Sequence, residues 1–290
     1  MLEFSDEALR LASDYAKEVE TEVRNFAVDL RPEYVKLLIL DIENDVKFFA
    51  LKVAAKRGSK RVEVVDVGEV FKKFGKPEDF VKSHIGKAQN CLASQKVTFS
   101  NLETVREKLE RIETPLILDA GCRWGRFSKK LKDFTDGNLR IVGVDLDKLS
   151  LQYGKGISRT TVFLRSDIQA LPFRNEVFDV VLCSGVIHEV RSSRGRRKTV
   201  QEFSRVLSSK GLLSLVDAST KLRIISAVTF VFQHVTGNVE WIPKKEAVEK
   251  TLRESGLEII SSMEGSISYL GGTVVPYTVA AIKTPRAEGT

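Results

Sequence analysis

The sequence predicts an α/β protein, with a doubly wound, mostly parallel sheet covered by helices on both faces and a mostly helical amino-terminal domain ahead of it. Two patterns and one boundary carry this reading. From Leu116 onward, short apolar runs alternate with amphipathic stretches in βαβαβ order, which implies parallel strands joined by crossover helices. Upstream, apolar residues recur every three or four positions, the period of a helix with one buried face. Between the two, Pro115 disfavours helix at the residue before it, so the seam falls at Glu113-Thr114-Pro115. The expected domains are 1–113 and 114–284, with 285–290 as a flexible tail.

The elements follow in order. Phe4, Ala8, Leu11, Tyr15, Val19, Val23 and Phe26 make the stripe of a first helix. Pro32 suits the first turn of a second, which Val35, Leu38, Ile42, Val46, Phe49 and Val53 continue until Gly58. Arg61 to Val67 is rich in β-branched residues and predicts a strand, and helices are expected over 69–73, 77–93 and 102–112. Beyond the seam, strands are expected at LILDAG, RIVGVD, TVFLRSD, VFDVVLCSG and LLSLVDAS. Helices are expected at 126–134, 147–153 and 197–207. Helices over 221–235 and 244–255 and two strands, LEIISSM and TVVPYTVAAIKT, complete the domain, with Gly271-Gly272 marking a hairpin connection.

Composition excludes several classes. Of the residues, 42% are hydrophobic and 29% charged, which is globular usage and not that of a disordered or collagenous chain. Residues 1–112 carry 20 basic and 20 acidic groups, and residues 113–290 carry 26 and 19, so the whole net charge of +7 lies in the second part. Three cysteines, Cys91, Cys122 and Cys183, form neither a disulfide framework nor a Cys/His cluster with metal spacing. The start of the chain is acidic, and no apolar run reaches the ~18 residues of a membrane span, so a soluble, cytoplasmic protein is expected.

The chemistry concentrates at the first strand-to-helix turn, Leu118-Asp119-Ala120-Gly121-Cys122-Arg123-Trp124-Gly125, followed 20 residues after Gly125 by Asp145 at the end of the next strand. Glycines let a backbone pass close to a ligand, a helix amino terminus offers free N–H groups, and an acid ending the second strand can accept both hydroxyls of a ribose. A ligand carrying an adenosine ribose is expected. A tight turn without ligand is the plainer reading of the glycines, and the position of Asp145 weighs against it.

With Asp119 two positions ahead of the first glycine, the chain resembles the class I S-adenosylmethionine-dependent methyltransferases over about Leu116 to Thr284. DAGCRWG, VGVD, SDIQALPF (Ser166 to Phe173), FDVVLCSGVIHEV (Phe178 to Val190) and EFSRVLSSKGLL (Glu202 to Leu213) carry the likeness in order. SDIQALPF and RVLSSKG are most similar to the small-molecule and quinone-type branch. The resemblance implies a seven-stranded Rossmann-like sheet and S-adenosylmethionine as cofactor, held by Asp119, Gly121, Cys122, Arg123, Gly125, Asp145, Leu146, Asp167, Ile168 and Ser184. In it, Asp167 would contact the adenine amino group and Ile168 would lie against the ring. It also implies transfer of the methyl group to an acceptor by direct in-line displacement. The chain departs from the family at Arg123, where a middle glycine is usual. That side chain could obstruct the cofactor, point away, or pair with its carboxylate.

His188, just after the fourth strand, is the candidate catalytic residue, as a general base or else as a packing residue of the loop. The run RSSRGRRK brings together Arg191, Arg194, Arg196, Arg197 and Lys198, either for an anionic acceptor or as a solvated face. Ile224 to Phe232, with Trp241, reads as a lid over an apolar substrate or as a buried helix. Two other functions remain open on the residues alone: a non-catalytic cofactor- or RNA-binding module, and a nicotinamide dehydrogenase. A small-molecule acceptor is expected over nucleic acid.

Overall fold

A computed structural model describes residues 3–26, 32–77, 100–135, 138–220, 243–265, 267–269 and 272–285. The chain forms two compact units, Met1–Leu92 and Ala93–Thr290.

In the first unit, α1 (Asp6–Phe26), α2 (Pro32–Lys56) and α3 (Val64–Phe74) accompany a short parallel pair, β1 (Glu3–Phe4) with β2 (Arg61–Val62). The expected stripe of α1 is buried at Ala8, Tyr15 and Val19, and Tyr15 stacks on Phe71 with ring centroids 4.4 Å apart. The strand expected over Arg61 to Val67 ends at Val62. Asp66 explains the early stop: its carboxylate accepts the Glu63 N–H at 2.8 Å, capping a helix start, and takes two further bonds from the Arg57 guanidinium. Capping and the buried face of Val67 and Val70 thus override the strand preference of β-branched residues.

The second unit begins on the amino-terminal side of the expected seam. Its first described element, α4 (100–109), contributes the buried Asn101, which donates to Leu215 O at 3.2 Å and accepts from Ser214 Oγ at 2.7 Å. The division at Leu92/Ala93 therefore differs from the boundary at 113, because side-chain bonds that span more than 100 residues attach α4 to the sheet.

Five parallel strands follow: β3 (Leu116–Ala120), β4 (Arg140–Asp145), β5 (Thr161–Arg165), β6 (Phe178–Ser184) and β7 (Leu207–Thr220). β8 (Leu257–Glu264), β9 (Ile267–Tyr269) and β10 (Gly272–Lys283) complete the sheet. The order is β5-β4-β3-β6-β7-β10-β8, with β10 antiparallel to both neighbours and β9 pairing only β10. This is the expected seven-stranded, mostly parallel sheet, with one short strand added. The crossovers are α5 (Arg126–Phe134), α6 (Lys148–Ile157) and α7 (Ser193–Val206), and α8 (Lys245–Glu254) precedes β8. The largest apolar cluster lies between the sheet and α7 and α8, where Val200, Phe203, Val248 and Leu252 meet Leu213, Leu215, Val279 and Ala281. The helices expected at 77–93 and 221–235, Cys91, the segment Ile224 to Phe232 with Trp241, and residues 286–290 lie wholly or almost wholly outside the described residues.

Replacing Asn101 by Ala leaves the buried Ser214 hydroxyl without this acceptor and removes one of the donors to Leu215 O, so Asn101→Ala should lower the stability of the second unit by about 2 kcal/mol in urea unfolding. Unchanged stability would mean that α4 does not belong to this unit.

Candidate functional site

Strand order, not strand direction, reverses between β3 and β6: β3 pairs in parallel with β4 on one side and with β6 on the other. In such a sheet the loops leaving the two central strands part to opposite faces, and a crevice opens at their carboxyl ends. The glycine loop leaves β3 there, and the loop carrying His188 leaves β6.

The glycine loop is fixed from below. Gly121 N–H and Cys122 N–H both donate to Val144 O, at 2.8 and 3.0 Å, and Gly125 N–H closes a turn onto Cys122 O at 2.7 Å. Gly121 (φ 74°) could not be another residue: an added Cβ would stand 2.3 Å from Val186 Cγ2, so the loop after β6 packs directly on it. Arg123 also adopts a left-handed conformation, φ 52°, but its side chain is exposed. The missing middle glycine therefore costs about 1 kcal/mol of backbone strain and displaces nothing in the loop interior. Cys122 is buried, and burial, together with the charges of Asp119 and Asp145, pushes its thiol far above the ordinary range; Cys183 is shifted the same way. Neither is a nucleophile.

Asp119 ends its strand fully buried. Its Oδ2 accepts the Ser128 N–H at 3.1 Å and the Ser128 hydroxyl, so it caps the first turn of α5. Burial raises its pKa to about 6, against the two Ser128 bonds, which lower it, and with Asp145, which raises it further. Asp145 is half-buried at the end of β4. One carboxylate oxygen takes the Arg123 N–H at 2.7 Å and the other the Asp147 N–H at 2.9 Å. A carboxylate has about four acceptor positions, so two hydroxyls of a diol can still be bound. Leu146 beside it presents an apolar side chain that is 59% exposed.

Asp167 and Ile168 follow β5 in a loop braced by α7. Glu202 Oε2 accepts the Leu171 N–H at 2.7 Å, while Arg205, paired with Glu202, donates to Leu171 O and Phe173 O. The two motifs SDIQALPF and EFSRVL are thus one bonded unit. Asp167 Oδ1 accepts the Gln169 N–H at 2.8 Å, and Ile168 is buried. Ser184 ends β6, half-buried. With a half-buried carboxylate that keeps acceptor positions to spare, an exposed leucine beside it, a second acid-and-isoleucine loop and a buried carboxylate along one edge, this donor set fits S-adenosylmethionine.

His188 lies in a 3₁₀ turn, Ile187–Glu189, with its side chain 22% exposed. Its Nδ1 is 2.6 Å from Oδ1 of Asp217, a residue that reading the sequence did not single out. The side chain of Asp217 is fully buried and also accepts the N–H groups of Ile187, His188 and Ala218, at 2.8, 3.3 and 2.7 Å. The signal was present, since Asp217 closes the apolar run LLSLV as Asp119 closes LIL.

The basic run is not a loop. Ser192 caps α7 by accepting the Gly195 N–H, and the helix begins at Ser193, four residues before the expected start at Arg197, because that cap satisfies the first turn. Arg196 is half-buried and donates to Val190 O at 2.7 Å, and Arg197 pairs with Glu254 at 3.4 Å. Arg191, Arg194 and Lys198 are exposed near the positive end of the helix dipole. No described helix is long and apolar enough to cross a membrane.

The comparisons agree with this geometry. A family model described as a methyltransferase domain matches residues 118–215. Among curated proteins, an uncharacterized protein of Methanocaldococcus jannaschii is 31% identical over 140 residues, 48% of this chain and 56% of that one. The malonyl-[acyl-carrier protein] O-methyltransferase of Legionella pneumophila is 28% identical over 74% of this chain and 72% of its own. A Homo sapiens protein named probable tRNA methyltransferase 9B is 29% identical over 46% of this chain and 29% of its own. The chain thus spans little more than half of the first of these relatives. A solved S-adenosylmethionine-dependent methyltransferase from Methanosarcina mazei, 17% identical, shares the fold with a TM-score of 0.50, over 59% of this chain and 93% of its own.

The buried Asp119 yields a prediction. Its pKa is raised in the folded state, so between about pH 4 and about 6 the unfolded chain has released a proton that the folded chain keeps, and stability falls as pH rises through that window. The stability of the parent relative to Asp119→Asn should therefore drop by on the order of 2 kcal/mol from pH 4 to 6 and stay level above it, as read by denaturant melts across pH. A flat difference would mean that Asp119 ionises normally.

The matched segment 118–215 is thus similar to a methyltransferase domain, and the order of its strands is that of the Rossmann-like fold shared with solved S-adenosylmethionine-dependent methyltransferases.

Proposed function

We propose that the chain transfers a methyl group from S-adenosylmethionine to a small, anionic acceptor, and that His188 assists by taking a proton from it. The observation that carries this reading is the Asp145 carboxylate, held by two backbone amides over a glycine loop at the switch point of the sheet. In this assignment Asp145 binds the ribose hydroxyls, Leu146, Asp167 and Ile168 hold the adenine, and Asp119 lies beneath the loop with Gly121, Cys122, Arg123, Gly125 and Ser184 around the methionine end. Bound there, the cofactor supplies an electrophilic methyl on a sulfonium centre. The work left to the protein is alignment, exclusion of water and proton removal, because an aligned nucleophile gains most from proximity.

The named relatives suggest two kinds of acceptor, an acyl-carrier-protein conjugate and a tRNA. A small acceptor is favoured because Arg196 is held by Val190 O and Arg197, though exposed, is paired with Glu254, which leaves Arg191, Arg194 and Lys198 as the cations of the run without such a partner among the described residues. Three cations suffice for a carboxylate or phosphate, whereas tracking a nucleic-acid backbone takes more contacts.

Two outcomes test the reading. Asp145→Ala should weaken S-adenosylmethionine binding by ~2–4 kcal/mol in calorimetry while the fold persists. Unchanged affinity, or tight NAD binding by the parent, would sink the cofactor assignment. Next, extracts incubated with isotopically labelled methyl donor should show label in small molecules and not in RNA. Replacing Arg191 and Arg194 by Gln should raise the Michaelis constant for the labelled acceptor, with only a shallow salt dependence in the parent. A steep loss of binding with salt would point to nucleic acid instead.

A further inference from the structure

We propose that Asp217 is the positioning residue for His188, and that the pair serves an acceptor carrying a weakly acidic hydroxyl, which must lose its proton before it can take a methyl group. This rests on the methyltransferase reading above and narrows its acceptor class. The geometry comes first. Asp217 continues the inward-facing row Leu213, Leu215 on β7, and three backbone N–H groups hold its carboxylate in addition to the imidazole. Its Oδ1 then sits 2.6 Å from His188 Nδ1, which keeps a proton on Nδ1 and the lone pair on Nε2. One carboxylate thus sets the position of the turn, the plane of the ring and its tautomer.

Two other titratable groups among the described residues face Asp217, and neither is a base. Tyr277 on β10 stands directly opposite Asp217 in register, fully buried, and its hydroxyl has no hydrogen-bond partner among the described residues. Burial, then the charge of Asp217, push the Tyr277 hydroxyl far above its ordinary range, and Cys183 on β6 is raised by the same two causes. Arg196 from α7 acts on Tyr277 in the opposite sense, and Glu249 from α8 adds to the rise. Both neighbouring acids therefore stay protonated and neutral, so neither competes as a base. The step is a proton transfer: the acceptor O–H bond breaks, its electron pair stays on oxygen, a bond forms from Nε2 to hydrogen, and Asp217 faces the resulting imidazolium. An acceptor that is already ionised, such as a carboxylate, would need none of this.

The test uses the whole chain and para-nitrophenol, whose phenolate is yellow. Below the solution pKa of the probe, the parent should bind it saturably as the phenolate. His188→Gln should abolish the yellow form, and Asp217→Asn, which keeps an oxygen for the turn amides but loses the charge, should cut the bound phenolate fraction about tenfold or more. Nitrogen-15 spectra should show His188 protonated on Nδ1 in the parent, and a pKa lower by about one unit or more in Asp217→Asn. The same phenolate fraction in Asp217→Asn, with the turn intact, would leave Asp217 only a structural cap. Absence of bound phenolate in the parent overturns the hydroxyl class. Calorimetry with S-adenosylmethionine separates the two readings: cofactor binding without bound phenolate sinks the pair, and bound phenolate without cofactor binding sinks the methyltransferase reading.

Discussion

The site depends on one constraint, the two-sided pairing of β3. Because this strand is bonded to β4 through Leu116–Ala120 and to β6 through Ile117–Ala120, the ends of three strands are locked level, and the loops that leave them start from one edge. Slipping either register by one residue would turn Asp119 or Asp145 to the opposite face. The contact of Gly121 with Val186 depends on the same alignment, and through it the glycine loop and the loop bearing His188 become packed neighbours.

A second theme is the use of strand-end carboxylates as backbone acceptors. Asp119 takes an amide from α5, Asp145 takes amides from the glycine loop and from Asp147, Asp167 takes one from Gln169, and Asp217 takes two from the turn of His188 and one from Ala218. Each bond satisfies a donor that a loop or helix start would otherwise leave open, and each also fixes the direction of a charge. Capping and ligand recognition are therefore two uses of the same oxygens, since a carboxylate accepts more bonds than one amide supplies. The bonds to Ser128 make Asp119 a cap of α5.

Legibility varied with how local the cause was. The crossover strands and helices from Leu116 to Val206 could be read because hydrophobic period and turn chemistry are properties of neighbours in sequence. The strand expected at Arg61 to Val67 failed for a local reason, a cap at Glu63 and Asp66 that competes with β-branched preference. The extent of the second unit was not legible, because Asn101 belongs to it through bonds to β7, more than 100 residues along the chain.

By itself the sequence determined the sheet type, the glycine loop, the acid that follows it and the candidate base, since each is a residue type at a fixed distance along one segment. Tertiary structure alone decided that Asp217 meets His188, that Glu202 and Arg205 brace the loop of Asp167, and that Arg123 is exposed while Arg196 is half-buried. These depend on which strands lie side by side and which helix crosses which loop, and contact between segments far apart in the chain is set by packing, which leaves no period or spacing in the sequence to read.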